Sequence, residues 1–128
     1  MEELIEQVEQ WAEDKGIDEA ESWKPQFKKI VEEVMEYKEE LKKFDNVKGE
    51  EYSWCYDEMV EMGDILITLI IMAQQRGYEI RDCLIHAYLK IKDRQGEVID
   101  GSFVKSEDIG KIRKDSEDIG KMECSLGG

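Results

Sequence analysis

Histidine, proline and cysteine are nearly missing from this chain: one His, one Pro and three Cys in 128 residues. With Pro25 the only proline and β-branched runs scarce, long stretches are free to coil, so an all-α fold is expected. One histidine, His86, excludes a di-iron bundle, which needs paired Glu-x-x-His motifs; a structural place on a helix is its simplest role. Cys55, Cys83 and Cys124 are odd in number and lack CxxC spacing, so they read as reduced thiols rather than a disulfide framework. Basic charge is also short. Eighteen Lys and Arg face 32 acids, for a net charge of −14, and this excludes the basic footprint that nucleic acid demands. A small phosphorylated ligand stays open, because a bound divalent cation reverses the local field. The longest largely apolar run, Ile65 to Ala73, falls far short of the roughly 20 residues that span a bilayer. No basic-then-apolar leader opens the sequence. A cytoplasmic protein with no membrane partner is expected.

What is present is helical periodicity. Leu4, Ile5, Val8, Trp11 and Ala12 predict a helix over about 2–15 that stops at Gly16. Asp18 with Glu21 has capping-box spacing, and Pro25 suits the first turn of a second helix. From there Phe27, Ile30, Val34, Tyr37, Leu41 and Phe44 step by three and four, the mark of a core-facing stripe. A polar loop, Asp45 to Tyr52, precedes a third helix over about 53–76. Its second half is apolar all round and is expected to be the buried centre. Ile80, Leu84, Ala87 and Ile91 mark a fourth helix ending near Arg94. Val98 to Val104 holds an Asp-Gly turn between apolar pairs and predicts a small hairpin. Residues 1–105 read as one domain. Residues 106–128, where Ser106–Lys111 recurs as Ser116–Lys121, read as a charged, flexible tail.

Two acidic clusters sit in the second and third helices: Glu32-Glu33-Val34-Met35-Glu36 and Glu61-Met62-Gly63-Asp64. If these helices fold back about Lys48-Gly49, Glu33 comes level with Asp64 and Glu36 with Glu61. Acids three apart share a helix face, and carboxylates converging in this way repel unless a cation lies between them. Any single ExxE in so acidic a chain is ordinarily a solvated helix face. The register symmetry and the position of Asp64 at the edge of the apolar stretch favour a metal site. Oxygen ligands without His or Cys select Mg²⁺, with Mn²⁺ as a substitute. The alternating acids and central glycine of an EF-hand loop are absent.

A second fold-back, near Tyr78, would bring Lys92 level with Asp64 and Arg94 within a turn of Glu61. Basic groups at the rim of a metal site suit a polyphosphate. They equally suit a helix C-terminus answering its dipole.

In these residues the chain resembles the MazG-like nucleoside triphosphate pyrophosphohydrolases, an all-α superfamily that includes dimeric dUTPases and phosphoribosyl-ATP pyrophosphohydrolases. The likeness rests on EExxE at Glu32–Glu36, ExxD at Glu61–Asp64 before an apolar helix, and the stretch from Lys92 to Lys105. It implies a four-helix bundle completed by oligomerisation, as homodimer or homotetramer. It implies Glu33, Glu36, Glu61 and Asp64 as Mg²⁺ ligands, with Glu32 a supporting carboxylate. It also implies cleavage of a nucleoside triphosphate to the monophosphate and pyrophosphate. Many relatives carry an Asn shortly before the basic pair, where this chain has Ile91.

On this reading Glu33 or Glu36 accepts a proton from the attacking water, and Lys92 and Arg94 bind the substrate phosphates. Trp23, Trp54 and Tyr56 are candidates for stacking on a base, although aromatic residues so placed more often anchor a core or interface. Two alternatives stay open. One is a selective member acting on dUTP, dCTP or phosphoribosyl-ATP; the other is a non-catalytic acidic helical protein that binds a partner through its apolar faces.

Overall fold

The structure, a computed structural model, describes residues 2–46 and 55–110. It is mainly helical. In chain order the elements are α1 (Glu2–Lys15), α2 (Lys24–Lys42), α3 (Tyr56–Arg76), α4 (Ile80–Ile91), β1 (Gly96–Ile99) and β2 (Ser102–Lys105). None of the described helices is long and apolar enough to cross a membrane. The chain divides into two compact units at Leu84/Ile85, within α4.

In the first unit α3 packs against both α1 and α2. Helix α1 ends where Gly16 turns left-handed at φ +74, with Ile17 N–H donating to Ala12 O at 2.9 Å. Helix α3 ends in the same way at Gly77, φ +83, with Tyr78 N–H donating to Ala73 O at 3.1 Å. Both glycines take a backbone conformation that side chains disfavour, and both close a helix by satisfying its last carbonyls. Two glutamines tie α3 to the α1 region. Gln74 Nε2 donates to Glu9 O at 3.1 Å, and Gln75 Nε2 to Ile17 O at 2.8 Å. At the start of α4, Arg81 reaches Glu2 and Glu6 of α1 at 3.5 and 3.9 Å.

The pairing of α2 with α3 is antiparallel, since Gln26 near the start of α2 meets Thr68 in the second half of α3. Gln26 Nε2 donates to Thr68 O at 3.0 Å, and Thr68 Oγ1 donates back to Ile65 O at 2.7 Å. Both residues are buried.

The packing corrects several expectations. Only part of the stripe expected to face the core on α2 does so: Ile30, Tyr37 and Phe44 are half-buried, but Phe27 is 51% exposed and Val34 43%. The side turned to α3 buries Gln26 and Glu33 instead. Likewise the apolar half of α3 is covered on one side only. Ile70, Ile71 and Ala73 are buried with Ala12 of α1, whereas Leu66, Ile67 and Leu69 stay exposed. An all-round apolar helix can be buried all round only if enough neighbours surround it. Asp18 and Glu21 do not cap α2, which begins later; Trp23 occupies the cap position without a side-chain bond, and Ser22 Oγ accepts from Lys24 N–H at 3.2 Å.

In the second unit α4 stops at Ile91, short of Arg94, and buries no residue. Lys92 and Arg94 therefore lie beyond the helix, in a turn closed by Arg94 N–H to Ile91 O at 2.9 Å. The hairpin follows. β1 and β2 pair antiparallel from Gly96↔Lys105 to Ile99↔Ser102, around Asp100 (φ +50) and Gly101 (φ +81). Two successive positive φ values are the I′ turn that suits the strand twist and favours Asp-Gly. Gly96 has no room for a side chain, because a Cβ there would meet the carbonyl of Val104. Val104 is buried, and residues 106–110 are helical. The expected Lys48-Gly49 turn, Trp54, Cys124 and the second copy of the ten-residue repeat lie outside the described residues.

Replacing Gln26 by Ala is expected to lower the unfolding free energy by about 1–2 kcal/mol, through the lost buried hydrogen bond and its packing. Gln10→Ala, which removes only a surface contact to Asp14, should change it by less than about 0.5 kcal/mol. Urea titration of the two variants checks the contrast.

Candidate metal centre

The acidic clusters meet across the α2–α3 pair. Oxygen atoms of Glu33, Glu61 and Asp64 all lie within 4.8 Å of one another. Helix spacing explains why: Glu61 and Asp64 are three apart on α3, and the antiparallel register that joins Gln26 to Thr68 carries Glu33 to the same level. Around Mg²⁺ opposite oxygen ligands stand about 4.2 Å apart, and around Ca²⁺ about 5 Å. The spread of the three carboxylates falls in the range that a hard divalent cation bridges.

Burial makes this convergence costly. Glu33 is buried and Glu61 and Asp64 are half-buried. Glu33 Oε2 and Glu61 Oε2 are both shut off from solvent without accepting a hydrogen bond. An ionised carboxylate so placed is unfavourable unless a cation or proton neutralises it. Carboxylate oxygens so grouped, two of the residues carrying an orphaned oxygen, are the donor type that Mg²⁺ or Mn²⁺ takes, and the residues fit such an ion.

Glu36 lies outside the trio but is joined to it. Its carboxyl hydrogen-bonds with Glu33 and with Glu61. A bond between two carboxyl groups needs a proton. The hydrogen bond to Glu33, followed by the negative charge of Glu33 and then desolvation, raises the Glu36 pKa above the ordinary carboxylate range. Glu61 is raised as well, first by desolvation and then by the charges of Asp64, Glu33 and Glu40. A proton held among these carboxyls would relieve the same repulsion that a divalent cation would relieve in its place.

A further residue belongs here that the sequence reading passed over. Lys29 Nζ pairs with Glu33 Oε1 at 3.0 Å, one turn earlier on α2. This contact raises the Lys29 pKa, chiefly through the hydrogen bond to Glu33. The pair fixes one oxygen of Glu33 and leaves Oε2 without a hydrogen bond. Its signal was available as Lys and Glu at i and i+4 on one helix. Glu32 is exposed and stands outside the cluster. Lys92 and Arg94 belong to the second unit. Of the aromatic candidates, Trp23 is half exposed and packs edge-on against Phe27 at 5.6 Å, and Tyr56 is 70% exposed.

No protein-family model, curated protein or solved structure matches the chain.

The folded chain holds protons on Glu36 and Glu61 at pH values where an unstructured chain has released them. Stability is therefore expected to fall as pH rises from the ordinary carboxylate range through the raised values. Glu36→Gln, whose amide can donate as the protonated acid does, should flatten this fall. Added Mg²⁺ should raise the melting temperature of the wild type more at neutral pH than at acid pH, because the ion displaces the proton. Thermal melts across pH, with Mg²⁺ and with EDTA, measure all three effects.

Proposed function

We propose that this chain is a Mg²⁺-dependent nucleoside triphosphate pyrophosphohydrolase that releases pyrophosphate and the nucleoside monophosphate. The observation that carries the reading is the meeting of Glu33, Glu61 and Asp64 with two buried oxygens left without a hydrogen bond. The resemblance of the EExxE and ExxD motifs to the MazG-like enzymes adds the reaction class. Glu33, Glu61 and Asp64 would hold Mg²⁺, joined by Glu36 once it loses its proton. Mg²⁺ bound there would neutralise phosphate charge and orient the triphosphate. Glu33 or Glu36 would take the proton of a water attacking in line. Lys29 positions Glu33. Lys92 and Arg94, expected from the sequence to bind the substrate phosphates, lie in the second unit and are given no part in the metal centre.

We further propose that the chain works as a homodimer or homotetramer, completing a four-helix bundle between copies. On α2, Phe27, Val34 and Leu41 share one face, continued by the cap residue Trp23, and all are exposed; on α3, Met59, Met62, Leu66 and Leu69 do the same. Two such stripes are more apolar surface than a lone small domain ordinarily leaves in water. They also keep alive the reading of a non-catalytic protein that binds a partner helix, which needs no Mg²⁺. The low basic content argues against nucleic acid as partner, and a cytoplasmic location suits the nucleotide pool.

Pyrophosphate release from a panel of nucleoside triphosphates, including dUTP and dCTP, should depend on Mg²⁺ and stop in EDTA. Glu33→Gln and Asp64→Asn should each lower turnover at least about 100-fold while the fold persists, since each removes an oxygen needed for transition-state charge. Full activity in both variants would remove the acidic cluster from the mechanism. Phe27→Glu or Leu66→Glu should reduce the native mass seen by light scattering.

A further inference from the structure

The second unit contains a cleft of its own, about 490 Å³, between the end of α4 and the base of the hairpin. Its volume lies in the range of small-molecule sites, about 300–1,000 Å³. Lys90, Arg94 and Lys105 line it, together with Asp93, Ser106 and Glu107. In a chain with 32 acids and 18 bases, three cations around one cleft run against the prevailing charge. Backbone contacts hold the walls together. Arg94 N–H donates to Ile91 O at 2.9 Å, Ser106 N–H donates to Gln95 O at 2.8 Å, and Gly96 pairs with Lys105. The side-chain-free Gly96 lets the strands close at this point.

The three cations are not equivalent. Lys105 is already paired, with Glu107 at 3.3 Å and Asp108 at 3.6 Å. Arg94 is half-buried and has no carboxylate partner among the described residues. A guanidinium held in a cleft without an anion keeps its fork of donors for something else, and that fork matches a phosphate. Asp93 and Glu107, in the same lining, oppose an extended run of negative charge. The cleft therefore suits one phosphoryl group better than a chain of them.

We propose that this cleft is a binding site for a single phosphate group, inorganic phosphate or a phosphomonoester, with Arg94 as its fork and Lys90 and Lys105 as flanking charges. It does not rest on the metal centre and operates without Mg²⁺. Calorimetric titration of the full chain with inorganic phosphate, in EDTA and at constant ionic strength, tests it. The expected result is saturable binding, weakened at least tenfold by Arg94→Gln and severalfold by Lys105→Gln, and unchanged by Glu33→Gln. Arg94→Lys should lie between wild type and Arg94→Gln, because it keeps the charge and loses the fork. Absence of saturable binding by the wild type would overturn the site, as would binding that Arg94→Gln leaves unchanged. Binding lost in Glu33→Gln would place the phosphate at the acidic cluster and overturn it equally. Pyrophosphate bound far more tightly than phosphate in EDTA would contradict the single-group assignment.

Discussion

The burial of Glu33 against Glu61 and Asp64 is the constraint around which the first unit is arranged. Three carboxylates with oxygens within 4.8 Å oppose the α2–α3 contact that brings them together. The contact holds because other groups compensate. Lys29 takes one oxygen of Glu33, the carboxyls of Glu36 and Glu61 are shifted toward their neutral forms, and Gln26 grips the Thr68 carbonyl. The α2–α3 interface is thus polar where a small helical protein would ordinarily place its core. Interfaces of this kind persist where the charge has a use, since an apolar replacement of like volume is often at least as stable.

That arrangement explains the outward turn of the apolar residues. With Gln26 and Glu33 committed to the α3 side, helical geometry puts Phe27 and Val34 elsewhere on the surface of α2. The same applies to α3, where Glu61, Asp64 and Thr68 share the site-facing side and Leu66 and Leu69 lie round from it. The folded core is correspondingly thin: among the described residues of the first unit, Ala12, Ile70, Ile71 and Ala73 are its buried apolar members. The site and the exposed stripes are two results of one rotational setting of each helix.

The hairpin follows different rules, local ones. Asp100 and Gly101 supply the positive φ values of a two-residue turn, and Gly96 supplies the close approach of the strands. Pairing from Gly96 onward draws the chain out of α4 at Ile91, before the apolar-and-basic pattern of the sequence has run out. Lys92 and Arg94 consequently act as loop residues and not as the last turn of a helix.

Much of this was legible in the residues alone. Period-3.6 patterning placed α1 to within a residue, the Gly77 stop closed α3, and the Asp-Gly pair located the hairpin, because each is decided by neighbours in sequence. The acidic motifs were legible too: equal distances from a turn suffice to bring Glu33 level with Asp64 in an antiparallel pair. What only the tertiary structure decided is the rotation of the helices about their own axes. A stripe such as Phe27–Val34–Leu41 shows that a helix has an apolar face, not which neighbour will cover it. The Lys29–Glu33 pair is written in the sequence at i, i+4, but the raised pKa of Glu61 and the early end of α4 arise from contacts across space that no periodicity records.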